Sequence, residues 1–301
     1  MRKIILGIVV LCIAFSGTTQ DKLKVIIDAD TGNEVDDLYA VVRSLVEPSW
    51  EVIALNAAQW QASHWSVEKT MEESYRLNQL LLGELGLSGK VKSHRGAEDR
   101  LFDWGYRAQH SAAAYYLIQE AHKIPEGEKL TVIVLGALTN IASAILIDSS
   151  IQSKISVYWL GTTYDFEEDI LRKRDFNCVM DIQALGEMLD SEVEMHIIPV
   201  SVANQMTFNY DETVEKLSGK HTVTDFLLQR WYNHLDGGRN ERVIWDLALI
   251  EAIIHPEWAI QVEIQSSKEN GNRKLWYYKD INEDKMRVDF FKTVLEHINT
   301  K

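Results

Sequence analysis

The run Val132-Ile133-Val134-Leu135 is apolar at every position, and that continuity constrains the fold more than any other stretch. A strand with one wet face alternates apolar and polar residues, whereas an unbroken apolar strand has to be covered on both faces, as in a parallel sheet wrapped by helices. Strand-like runs at 25–28, 52–57, 91–94, 130–135, 155–160 and 194–200 are separated by helical patterns over 67–82, over 112–122 and from 141, and a further helix is expected over 246–254. This alternation predicts an α/β fold, an open, mostly parallel, doubly wound (Rossmann-like) sheet with helices on both faces. Near the end, the runs 261–264 and 274–278 flank Asn270-Gly271-Asn272, which predicts an antiparallel edge hairpin.

The first strand-like run empties into Asp28-Ala29-Asp30-Thr31-Gly32-Asn33-Glu34-Val35-Asp36-Asp37. Carboxylates packed so tightly repel one another, and a hard divalent cation, Ca²⁺ or Mg²⁺, would relieve them. In open α/β sheets such strand ends are also where ligands bind. A solvated loop with one aspartate capping the next helix is the plain alternative. A local calcium hand fits poorly, because a helical pattern follows at once and the twelfth-position glutamate is missing.

The segment resembles the opening motif of the inosine-uridine preferring nucleoside hydrolase family, although the gap from Asp30 to Asp36-Asp37 is two residues longer than usual. Further blocks follow in the family's order. Gly136-Ala137-Leu138-Thr139-Asn140-Ile141-Ala142 resembles its turn after a central strand, Asp175-Phe176-Asn177 with Asp181 its Glu-Phe-Asn segment, and Trp245-Asp246 its late calcium segment. The resemblance implies a calcium site made by Asp30, Asp37, Asp246 and the Thr139 carbonyl. It also implies ribose recognition by Asp36 at the 2′-hydroxyl and by Asp175 and Asn177 at the 3′ and 5′ hydroxyls. Asp30 is assigned as metal ligand and general base, since one carboxylate can both hold and deprotonate the attacking water.

Three departures bear on the substrate. Trp245 stands where many members have a histidine that protonates the leaving base, and indole is no general acid near neutral pH. The purine-specific branch resembles this chain there, with a Trp that stacks on the base. The segment 56–61 lacks the family's sugar-contacting Gly-Asn, and 162–174 is rich in charge. Trp104 is the candidate for a second stacking aromatic, with Trp60 and Trp231 behind it. His110 and His234 are candidates for the missing acid, each against a purely structural role. No Ser-His-Asp arrangement supports acyl transfer.

Composition narrows the partners. The 301 residues carry a formal net charge of −14, or −16 once Arg2 and Lys3 leave with a leader. Such a surface argues against nucleic acid and anionic lipid and leaves a neutral nucleoside unopposed. Met1-Arg2-Lys3 followed by the apolar stretch 4–15 reads as a signal peptide over residues 1–16, with cleavage before Gly17 or as late as residue 20. The expectation is an exported protein, periplasmic or secreted, not held by the membrane after cleavage, with one hydrolase-like domain over 21–301. An uncleaved anchor is the alternative. With Cys12 removed, Cys178 remains alone and no intrachain disulfide forms. Family resemblance implies a homodimer or homotetramer. The leading expectation is calcium-dependent hydrolysis of ribonucleosides, purine-leaning. A divergent hydrolase of another ribosyl or glycosyl bond, or a secreted calcium-containing sugar- or nucleoside-binding protein without turnover, are the alternatives.

Overall fold

The computed structural model describes residues 22–102 and 107–300, so the leader and Trp104 lie outside the described residues. The main sheet is built from β1 (Leu23–Ala29), β2 (Trp50–Ala57), β3 (Lys92–Arg95), β4 (Leu130–Val134), β5 (Ile155–Leu160), β6 (Glu194–Ile198), β7 (Ala259–Gln265) and β8 (Lys274–Ile281). Its order is β7-β8-β6-β5-β4-β1-β2-β3. Every neighbouring pair is parallel except β7 with β8. The expected parallel sheet and its antiparallel edge are thus both present. The turn joining β7 to β8 holds Gly271 at φ +77° and Asn272 at φ +50°, the left-handed region that these two residue types tolerate best.

The helices used below are α1 (Asp36–Leu45), α2 (Thr70–Glu84), α3 (Ala112–Ala121), α4 (Thr139–Ile147), α5 (Phe176–Met180), α6 (Ile182–Asp190), α7 (Thr222–Tyr232), α8 (Trp245–Ile254) and α9 (Glu283–Asn299). Two apolar layers sandwich the sheet. Val25, Ile27 and Ile133 face α1, α7, α8 and α9, while Ile26, Val132 and Val134 face α3, α4 and α6. Consecutive residues pointing to opposite but equally dry faces explain the absence of alternation in these strands.

Strand order places β1 between β2, its successor, and β4, reached by a crossover. The connections leaving β1 and β4 diverge to opposite faces there, which opens a crevice at the C-terminal ends of the strands. Helices α1 and α8 pack side by side, and all ten residues of α1 are buried. At the far end of this pair the buried Arg43 guanidinium binds Glu47 at 2.7 Å, Glu251 of α8 at 2.8 Å and Asp289 of α9 at 2.7 Å. One buried cation therefore fixes three helices, two of which bring carboxylates to the crevice. Among the described residues, no helix is long and apolar enough to cross a membrane.

Candidate active site

The β1–α1 connection and the first turn of α8 carry five aspartates into the crevice. Asp28, Asp30, Asp36, Asp37 and Asp246 are at most 5% exposed. Asp36 and Asp37 lie in the first turn of α1 and Asp246 in the first turn of α8, where the unpaired N–H groups of two helix ends favour negative charge. The Asp246 amide donates to Asp36 Oδ2 at 3.3 Å, which joins the two helix starts. Carboxylate oxygens of Asp36, Asp37 and Asp246 all lie within 4.8 Å of one another.

Asp30 is pressed against the turn after β4. A Cβ at Gly136 would come within 2.6 Å of Asp30 Oδ1, so only glycine admits the carboxylate there. Asn140, at the start of α4, donates to Asp28 Oδ2 at 2.9 Å and to the Ala57 carbonyl at 3.2 Å, and accepts from the Ala97 amide at 2.8 Å. This one amide fastens the ends of β1, β2 and β3 together and explains why the turn needs asparagine.

Burial is the main cause pushing these carboxyl groups upward, Asp28 and Asp36 to about 7 and Asp30 to about 8. Asp37 and Asp246 are raised as well, first by burial and then by repulsion from Asp30 and Asp36 respectively. Asp28 Oδ1, Asp30 Oδ2, Asp37 Oδ1 and Asp246 Oδ1 are buried without a hydrogen-bond partner. Orphaned buried oxygens of this kind are costly unless a cation meets them. The all-oxygen donor set fits a hard divalent ion.

The crevice is a cavity of about 230 Å³ lined by Asp36, Asp37 and Asp246, by Asp175 and Asn177, and by the aromatic rings of Trp65, Phe176 and Trp245. Asp175 caps α5, and its other oxygen accepts from the Thr162 amide. To present that amide Thr162 adopts φ +68°, a strained conformation for a β-branched residue. The Thr162 carbonyl accepts from Val200 at 2.9 Å and its hydroxyl meets Tyr277 Oη at 3.2 Å. Asn177 Nδ2 donates to the carbonyls of Leu135 at 2.6 Å and Leu160 at 2.9 Å, bridging the ends of β4 and β5.

Asp36, Asp37, Asp175, Asn177, Trp245 and Asp246 therefore line one cavity, and Asp30 lies against Asp36 and Asp37 beside it. Thr139 is not among the residues that line the cavity. Its hydroxyl donates to Asp181 at 2.7 Å and accepts from Gln59 at 3.1 Å, and the residue of its turn that lines the cavity is Leu135. Trp60 and Trp231 are buried and do not line this cavity. His110 bonds Tyr115 at 2.7 Å, also off the cavity, whereas His234 Nε2 lies 3.1 Å from Glu34, itself a cavity residue.

Two residues escaped sequence reasoning. Trp65 stacks on Phe176 with centroids 5.4 Å apart and donates to Asn33 Oδ1 at 3.0 Å. Its signal was the aromatic-rich loop that stands where the Gly-Asn is missing. Glu34 lies in the first loop, between Asp30 and Asp36. Thr31 leans on Asn78 of α2 and Gly32 on Ser74, which turns Asn33 and Glu34 toward the cavity wall. Arg242 binds Glu34 at 2.9 Å. Although burial alone would raise it, the hydrogen bond and charge of His234, with Arg242, hold Glu34 below the usual carboxylate range.

A cluster of buried, under-partnered carboxylates at the switch point of a parallel sheet, opening on an aromatic-walled cavity, defines an α/β enzyme with a candidate metal centre. The chain belongs to the inosine-uridine preferring nucleoside hydrolase family, whose family model matches residues 25–294. It is an enzyme of the class that hydrolyses the N-glycosidic bond of nucleosides. The probable uridine nucleosidase 1 of Oryza sativa subsp. japonica is 23% identical over 264 residues, covering 78% of each chain. The uridine nucleosidase 1 of Arabidopsis thaliana is 24% identical over 243 residues, 71% of this chain and 69% of its own. Among solved structures, a purine-preferring ribonucleoside hydrolase from Gardnerella vaginalis superposes with a TM-score of 0.69 at 17% identity, covering 92% of this chain and all of that one.

Proposed function

We propose that this protein hydrolyses ribonucleosides to free base and ribose with calcium as cofactor, and that its pocket leans toward purines. The observation that carries the reading is the set of unpartnered oxygens on Asp30, Asp37 and Asp246 beside a cavity walled by Trp65, Phe176 and Trp245. Asp30, Asp37 and Asp246 would hold the ion together with a main-chain carbonyl of the turn after β4. Bound there, calcium supplies polarisation of the attacking water and coordination positions for a vicinal diol.

The chain's own groups do the rest. Asp30 takes the proton of the attacking water. Asp36 accepts from the 2′-hydroxyl, and Asp175 and Asn177 position the 3′ and 5′ hydroxyls. The surrounding carboxylates favour the positive charge that builds on the sugar as the C1′–N bond breaks. Trp245, anchored by its Nε1–H to Asn204 at 2.6 Å, and Trp65 form aromatic walls for the base. Stacking on such walls is worth about 1–3 kcal/mol per base.

With Trp245 in place of a histidine, the leaving base takes its proton from another group, and His234 is the candidate that stands beside the cavity. His234→Ala is expected to lower kcat on inosine by about 10²-fold or more while leaving p-nitrophenyl riboside, whose leaving group needs no proton, within a few-fold of wild type. Equal losses on both substrates would remove His234 as the acid. Trp245→Ala is expected to raise KM for purine nucleosides by about 5- to 160-fold, the range corresponding to the stacking energy, and unchanged kinetics on inosine would defeat base stacking there.

The decisive assay measures free base released from purine and pyrimidine ribonucleosides with and without a calcium chelator. Chelator-sensitive turnover favouring purines supports the proposal in full. The sequence relatives named above are uridine nucleosidases, so a preference for uridine would retain hydrolysis and overturn the purine reading. Calcium binding without turnover on any nucleoside would shift the reading to another glycosyl substrate or to a binding protein. The proposal also includes an exported, single-domain mature protein and a small oligomer, checked by N-terminal sequencing and by light scattering of the secreted material.

A further inference from the structure

Away from the catalytic crevice, the C-terminal end of α8 brings together a second group of ligand-capable side chains. Glu251 lies in α8, His255 caps its C-terminus and Asp289 comes from α9. His255 is nine positions beyond Asp246, about 13 Å along a helix. One ligand-capable atom from each of Glu251, His255 and Asp289 lies within 4.8 Å of the other two. His255 Nε2 is 3.3 Å from Asp289 Oδ2. That is about the separation of two ligands bound at 2.0–2.1 Å to one tetrahedral ion, and the same Asp289 oxygen accepts from Arg43 Nη2 at 2.7 Å.

Glu251 is wholly buried, and while Oε1 accepts from Arg43 Nε at 2.8 Å, Oε2 has no partner. On the other side of the imidazole, Nδ1 faces Glu257 Oε1 at 3.3 Å, the carboxylate backing that metal-bound histidines ordinarily have. Trp258 stacks on the ring with centroids 3.7 Å apart and fixes its plane. Arg43 is set against the three carboxylates of Glu47, Glu251 and Asp289, and the helix end adds the negative pole of its dipole. His255 and Asp289 are 24% and 15% exposed, so an ion can enter from solvent.

We propose that Glu251, His255 and Asp289 form a second divalent-cation site, distinct from the aspartate cluster, that takes zinc. An imidazole with two carboxylates and a completing water suits Zn²⁺, whereas Ca²⁺ asks for six to eight oxygens. The ion ties α8 to α9 and acts on stability rather than on bond cleavage.

The test uses full-length mature protein stripped with chelator, dialysed free of it and returned to saturating Ca²⁺, then titrated with Zn²⁺ under thermal unfolding and with Co²⁺ as an absorbing substitute. Wild type is expected to take up one further ion, to gain roughly 5 °C in Tm at a hundredfold excess over Kd and to show visible Co²⁺ bands. His255→Gln and Asp289→Asn lose both responses, and Glu257→Gln binds about tenfold more weakly or worse. Asp246→Asn keeps the zinc response. No zinc uptake by wild type, or uptake that survives His255→Gln and disappears in Asp246→Asn, overturns the proposal. Retained nucleoside turnover certifies that His255→Gln, Asp289→Asn and Glu257→Gln have folded, a cooperative thermal transition certifies Asp246→Asn, and if His255→Gln fails its check the surface change Glu257→Gln decides.

Discussion

Asp30→Asn is expected to lower kcat by about 10²–10⁴-fold, the usual contribution of a general base, while the variant still binds nucleoside. Asparagine matches the carboxylate in shape and keeps one oxygen beside Gly136, where a larger group has no room. It cannot accept the water's proton. Steady-state rates on inosine measure the first effect and calorimetric titration with inosine the second. Rates within tenfold of wild type would rule Asp30 out as the base. The same substitution removes a carboxyl group whose ionised form the fold disfavours, first through burial and then through repulsion from Asp36, which pushes it up to about 8, so in chelator near neutral pH its Tm is expected to rise above that of wild type even as activity is lost. A gain in stability paired with a loss of turnover separates strain stored at a functional site from simple damage.

Arg43→Met is expected to destabilise the protein by about 3–5 kcal/mol, because it leaves buried carboxylates without their counter-charge. The guanidinium is 1% exposed and Glu251 not at all, so solvent cannot replace the lost partner. Chemical denaturation in the presence of chelator measures the change, and a loss below about 1 kcal/mol would show that water or a proton compensates. The double variant Arg43→Met/Glu251→Leu is expected to recover part of the loss, as apolar replacements of buried ion pairs commonly do. The effect extends to the crevice because α1 and α8, which Arg43 joins, carry Asp36, Asp37 and Asp246 in their first turns.

Much of the crevice was legible in the chain because its chemistry is local. Asp30, Asp36 and Asp37 sit within eight positions of one another after an apolar strand, and a strand end is where an α/β sheet opens. Asp246 is remote in sequence, and its family motif identified it. Thr139 was expected to act through its main-chain carbonyl. It opens α4 with its hydroxyl on Asp181, and Leu135, four residues earlier, is the one that lines the cavity. Nothing in residue type distinguishes these two, since a main-chain carbonyl is available at either position.

The aromatic residues divide in the same way. Trp60, Trp65, Trp231 and Trp245 are alike in composition, yet Trp231 is core, Trp60 is buried off the cavity, and Trp65 and Trp245 form its walls. An indole's role depends on which neighbours exclude water from it, and that is set by packing between elements far apart in the chain. His234 reaches Glu34 across 200 positions and Arg43 reaches Glu251 across 208; no periodicity encodes such pairs.

The sequence by itself determined the parallel α/β sheet and the presence of a carboxylate cluster at its edge, because apolar continuity and charge crowding act between near neighbours. Only the tertiary structure decided which aromatics face the cavity, that Glu34 and His234 stand beside it, and that one buried arginine holds its helices together. Those outcomes depend on burial and on distances between remote segments, and neither exists until the chain has folded.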